Sequence, residues 1–183
     1  VTVTAAGPSH WDTAANWSAS GVPGADDAYV RLTNQNIKFG LDQNAVTLTS
    51  LNLDSTFTGQ IALPDTNANG YYEYRQKELK IGITTLNVGN DGEDGGCPFA
   101  RINGQAVQST LNIYSTGNPT LAPWALYYRG THASNVLNMW KGSMAVAYWP
   151  GDVATFATIN VGSKDNPASD ALLFLSSGCT LTT

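Results

Sequence analysis

The chain is predicted to be all-β, a right-handed parallel β-helix (β-solenoid) of stacked coils, and three observations predict it. One short phrase, aliphatic–Asn–aliphatic, recurs five times; its interval is the length of a solenoid coil; and helical periodicity is nearly absent. The copies read Leu51-Asn52-Leu53, Leu86-Asn87-Val88, Leu111-Asn112-Ile113, Leu137-Asn138-Met139 and Ile159-Asn160-Val161, and their Asn residues lie 35, 25, 26 and 22 positions apart.

Each phrase alternates apolar and polar side chains, the period of a strand with one buried face. A coil cannot bury its apolar face alone, so coils must stack into a continuous core. Leu51, Leu86, Leu111, Leu137 and Ile159 are expected to form one buried ladder, with the Asn residues turned away. The closing Thr180-Leu181-Thr182 falls where a sixth copy is expected. Further strand-like pieces lie between the copies at Gly59–Leu63, Leu79–Ile83, Ala125–Tyr128, Ser143–Tyr148 and Ala171–Leu175, punctuated by Gly, Asn, Asp and Pro. Asp65–Gly70 reads as a surface-loop insertion, and Ser9–Asn16 has room for one helical turn. The alternative is a β-sandwich or jelly roll, which also has short, evenly spaced strands. A sandwich, however, has no reason to repeat one phrase in phase with coil length.

A single domain is expected over 1–183, with 1–27 as an N-terminal cap and coils from 28 to 183. Trp11, Asn16-Trp17 and Gly21-Val22-Pro23 precede the first strand, Ala28–Leu32, and the two indoles suit a lid over the first coil. Cys179–Thr183 ends within a strand-like phrase, so either further coils follow or another chain covers that edge.

Charged residues make up 13% of the chain and its net charge is −5. Nine basic residues, scattered singly, do not form a phosphate-binding face, so no nucleic-acid partner is expected. No apolar run is long enough to cross a membrane as a helix, and no signal peptide is visible. Cys97 and Cys179 show neither metal nor redox spacing; two isolated thiols are the first reading and a disulfide the second.

The opening Trp11, Asn16-Trp17, Gly21, Pro23, Asp26-Asp27 and Val30 resembles the phrase that begins many bacterial secreted and autotransporter-like β-helix proteins. Gly40–Leu48, Phe57-Thr58-Gly59 and Leu63-Pro64 are similar to a smaller group of tailed-phage and metagenomic β-helix virion proteins. Membership of that group would imply a decoration (cement) protein at the virion surface. The alternatives are an extracellular or cell-surface location, as part of a tail-associated or secreted polysaccharide-binding or depolymerising protein or as an adhesin fragment. The resemblance implies no catalytic residue and no cofactor.

The residues themselves point the same way. Asp91, Glu93 and Asp94 place three carboxylates in four positions, enough oxygen for a weak calcium site, but without EF-hand spacing. They read first as a solvated acidic turn. Asp26-Asp27 is an adjacent pair whose side chains leave a strand on opposite faces, which suits a turn better than acid–base work. His132 and His10 stand near no nucleophile signature. No enzyme is expected.

Aromatic residues supply the distinctive chemistry, in three clusters: Tyr71, Tyr72, Tyr74 with Arg75; Trp124, Tyr127, Tyr128; and Trp140, Tyr148, Trp149. In each adjacent pair one ring should point outward, and Tyr, Trp and Arg dominate protein–protein contacts. They are the expected interface, to a second copy in a trimer or to a major capsid protein. Carbohydrate stacking and corner-wedging are the alternatives.

Overall fold

The computed structural model describes residues 11, 13–17, 21–31, 37–38, 42–63, 78–89, 95–119, 122–162, 171–175 and 178–183. The strands are β1 (Asp27–Val30), β2 (Ile37–Lys38), β3 (Asp42–Leu53), β4 (Gln60–Leu63), β5 (Leu79–Val88), β6 (Phe99–Gln105), β7 (Thr110–Ile113), β8 (Leu126–Gly130), β9 (Val136–Met139), β10 (Gly142–Val146), β11 (Val153–Thr155), β12 (Thr158–Val161), β13 (Ala171–Phe174) and β14 (Thr180–Thr182). The helical turn is a short 3-10 segment, Ala14–Asn16.

Every strand pairing among the described residues is parallel. An antiparallel sandwich is thereby excluded. The chain forms a largely parallel, nearly closed sheet of the β-solenoid kind. The long strand β5 joins one face to the next, pairing with β6 through Leu79–Lys80 and with β7 through Thr85–Val88.

The repeated phrase builds the first face. Leu51 pairs with Leu86, Leu86 with Leu111, Leu111 with Leu137 and Leu137 with Ile159. The four Leu are fully buried and Ile159 packs partly buried against them. An extra rung precedes this ladder, because Ala28 of β1 pairs with Leu51.

The expected sixth copy is a correction. Thr180–Thr182 pairs with Val153–Thr155 on a different face, and Leu172–Phe174 belongs to the face built by β8 and β10. A solenoid turn carries several short strands with the same alternation, so the text of a strand does not reveal its face.

The Asn residues do more than face away. Asn87 Nδ2 donates to Asn52 Oδ1 (2.8 Å), Asn112 to Asn87 (3.0 Å), Asn138 to Asn112 (3.1 Å) and Asn160 to Asn138 (2.9 Å). A side-chain amide is both donor and acceptor, so identical residues in register satisfy one another along the stack. This explains why the central letter of the phrase is Asn and not any polar residue.

The core runs along the solenoid interior and includes Trp11, which is 1% exposed. Trp17 stands edge-on to Trp11, with ring centres 4.8 Å apart, and its Nε1 donates to the Trp11 carbonyl at 2.8 Å. At the other end, Val161 is 48% exposed, although the equivalent Leu53, Val88, Ile113 and Met139 are at most 1% exposed. Cys97 and Cys179 are not joined by a disulfide.

Candidate functional site, a charged and aromatic pocket on the outer face

Strand alternation sends Leu126 and Tyr128 of β8 inward and Tyr127 and Arg129 outward; on β6, Ile102 goes inward while Arg101 and Asn103 go outward. Parallel register sets Arg101 beside Tyr127, Asn103 beside Arg129, and Lys80 beside Asn103. Charged side chains from three successive coils therefore meet on one outer patch.

A turn closes over this patch. Trp149-Pro150-Gly151-Asp152 has Asp152 N donating to Trp149 O at 2.9 Å and Gly151 at φ +87°. This is a type II turn, with Pro presetting its first corner and Gly supplying the positive φ. The Asp152 Oδ2 accepts from Trp149 N and from the Tyr127 hydroxyl, both at 2.8 Å. The open pocket this turn borders has a volume of about 530 Å³.

Arg129 joins the two acids of the pocket. Its Nε donates to both oxygens of Glu78 at 3.1 Å, its Nη2 donates to Glu78 Oε1, and its Nη1 reaches Asp152 Oδ1 at 3.3 Å. Asn103 Nδ2 adds a bond to Glu78 at 3.0 Å. Burial alone would lower the Arg129 guanidinium, but the Glu78 hydrogen bonds and the charges of Glu78 and Asp152 outweigh it and hold it above its ordinary value. Arg101 is 1% exposed and lies 4.1 Å from the centre of the Trp149 ring, a cation–π contact within a desolvated site. Burial pulls it down to about 10, against the pull of Glu78, Tyr127 and Asp152. Tyr127 is raised, first by burial and then by its bond to Asp152.

The expected interface is corrected at three positions. Trp124, Tyr127 and Tyr128 are at most 1% exposed. Tyr127 does leave the outer side of its strand, but the chain covers it with its own rings. Phe99, Trp124, Tyr127 and Ala145 form a second apolar cluster, with Tyr148 and Trp149 packed against it. Trp149 sits 4.7 Å from Tyr127 and 5.9 Å from Trp124, centre to centre. Tyr128 points into the main core and donates to Ser109 Oγ at 2.9 Å. Trp140, Tyr148 and Trp149 remain half-buried, with Trp140 stacked on Tyr114 of the preceding coil at 4.7 Å. Tyr71, Tyr72, Tyr74 and Arg75, and the acidic Asp91, Glu93 and Asp94, lie outside the described residues.

The sequence singles out Asp26-Asp27 and Asp91, Glu93 and Asp94 as its acidic groups, and the structure adds a pair that neither includes. Glu78 and Asp152 are held by one guanidinium although they belong to different coils. The available signal was the outward alternation in Leu79-Lys80-Ile81, Arg101-Ile102-Asn103 and Tyr127-Tyr128-Arg129. Only register across 51 residues brings Glu78 to Arg129.

Asp27 Oδ1 accepts from Ser50 Oγ at 2.7 Å, and His132 Nδ1 accepts from Ser134 N at 3.1 Å, both local strand and turn contacts. Among the described residues no group of three metal-capable side chains comes together, and no helix is long and apolar enough to cross a membrane.

No family model, curated protein or solved structure matches this chain. Its function is therefore argued from the geometry of the molecule.

Proposed function

We propose that this chain is a non-catalytic structural and binding protein: a right-handed parallel β-helix, closed at its start by Trp11 and Trp17, that assembles on itself or on a larger shell. Decoration of a phage capsid is the setting suggested by the resemblance of its opening phrase. The observation that carries the assembly reading is Val161. Its ladder position is sealed in four preceding rungs and 48% exposed in the last. A further strand against this edge would bury Val161 and satisfy the open backbone groups. Internal neutralisation supports binding over catalysis, because Glu78 and Asp152 are both engaged by Arg129, and a committed carboxylate is a poor acid, base or nucleophile.

Light scattering on the purified chain tests this directly. An oligomer that Val161→Lys converts to monomer is the expected result, as is a fixed copy number in purified particles. A monomer at all concentrations, absent from particles, overturns the reading.

A second reading, part of a polysaccharide-binding or depolymerising protein, is favoured by the pocket between Lys80 and Trp149. Turnover of a polysaccharide, lost on Glu78→Gln or Asp152→Asn, would promote its catalytic form and overturn the first reading.

A further inference from the structure

The pocket beside Arg129 is not balanced in charge. Among the described residues, Lys80, Arg101 and Arg129 line it against Glu78 and Asp152, so three cations face two carboxylates. Arg129 engages both acids, and Asp152 is further held by Tyr127 and by the backbone of its own turn. Lys80 makes no hydrogen bond or ion pair among the described residues, yet it is half-buried at the wall of the cavity. In a chain of net charge −5, this is a local site for an anion.

The other walls restrict which anion. The space of about 530 Å³ exceeds what a simple inorganic ion fills and falls in the range of small organic ligands. The half-buried indole of Trp149 and the ring of Pro150 give an apolar wall. Asp152 retains acceptor capacity beyond its three present bonds, because a carboxylate offers about four lone-pair sites. An acceptor beside an apolar wall and a third cation suit a polyhydroxylated ring that bears one carboxylate. A doubly charged ion would balance Lys80 but meet two carboxylates at once.

We propose that this pocket binds an acidic sugar, with the sugar carboxylate taken by Lys80 and the open edge of Arg129, a hydroxyl donating to Asp152, and the ring resting against Trp149 and Pro150. The inference deepens the second reading above and does not depend on assembly through the Val161 edge.

The test is an NMR titration of the full chain with sodium glucuronate, glucose and inorganic phosphate in separate arms, following the Trp149 indole N–H. Glucuronate is expected to shift this signal saturably. Lys80→Met, which removes a partly exposed charge but keeps the aliphatic stem, is expected to weaken binding about tenfold or more, with the melting temperature unchanged. Glucose and phosphate should bind at least about tenfold more weakly than glucuronate. Absence of glucuronate binding, equal affinity in Lys80→Met, or equal binding of glucose or phosphate overturns the proposal. Light scattering on the same samples separates the two claims: sugar binding without assembly sinks only the capsid reading, and assembly without sugar binding sinks only this one.

Discussion

The Tyr128 hydroxyl occupies the space that Gly104 leaves by having no side chain: a Cβ at Gly104 would lie 2.1 Å from Oη and 2.7 Å from Cζ. Gly130 leaves the same hydroxyl room from the next coil, where a Cβ would lie 2.7 Å from it. Gly104→Ala is expected to destabilise the fold by about 1–3 kcal/mol through overpacking. Adding Tyr128→Phe should cost less than the sum of the two single changes, because the closest clashing atom is gone. Denaturant unfolding of the double-mutant cycle measures this, and strict additivity would dissolve the link.

The Asn ladder predicts a position effect. Asn112 donates to Asn87 and accepts from Asn138, whereas Asn160 makes one ladder bond. Each such bond contributes about 0.5–1.5 kcal/mol net, so Asn112→Ala should cost roughly twice as much as Asn160→Ala. Urea midpoints of the two variants are the readout.

Arg129 keeps two buried acids neutralised, with Glu78 2% and Asp152 9% exposed. Arg129→Met should cost about 3–5 kcal/mol, since it strands two carboxylates away from water. Arg129→Met combined with Glu78→Gln and Asp152→Asn should recover much of that loss, which thermal unfolding would reveal.

Trp11 is expected to lose about 3–5 kcal/mol on replacement by Ala, as a fully buried indole at the start of the core. Trp17→Phe keeps most of the ring and removes the bond to the Trp11 carbonyl, at a cost of about 1 kcal/mol. An unchanged melting temperature in Trp11→Ala would overturn the proposal that it closes the first coil.

Burial pushes the Cys97 thiol up from 9.0 to about 12, partly offset by its contact with the Phe99 carbonyl. The folded state therefore holds this proton more tightly than the unfolded chain. The associated stability is fully present below pH 9.0 and is lost as the pH rises through about 12. Tyr128, raised by burial from 10.0 to about 12, acts in the same direction, whereas Arg101, lowered to about 10, opposes it. Cys97→Ala should accordingly show a shallower alkaline loss of stability than the parent. In the folded protein at pH 8, a thiol reagent should modify half-buried Cys179 and leave Cys97 protected.

The ladder was readable because Leu86, Asn87 and Val88 carry their burial and bonding in their own alternation, and the neighbouring phrases repeat it. Val153–Thr155 and Phe99–Gln105 were not singled out as strands, because no repeated phrase marks them. Thr180–Thr182 was assigned to the wrong face for a related reason: a short alternating strand looks the same on every side of a coil. The aromatic clusters were visible, but their exposure was not. Tyr127 is outward on its strand and still buried, since the Trp149–Asp152 turn folds back across it.

The amino-acid sequence by itself determined an all-β chain, the side of each repeated strand that faces the core, and the Asn position that faces away from it. These are properties of one strand and its period of two. Tertiary structure alone decided that Glu78, Arg129 and Asp152 meet, through contacts spanning 51 and 23 residues. Coils here differ in length, so the outward neighbour of a side chain is set by how the interior packs into register. No local pattern carries that information, because register is a free-energy minimum of the whole stack.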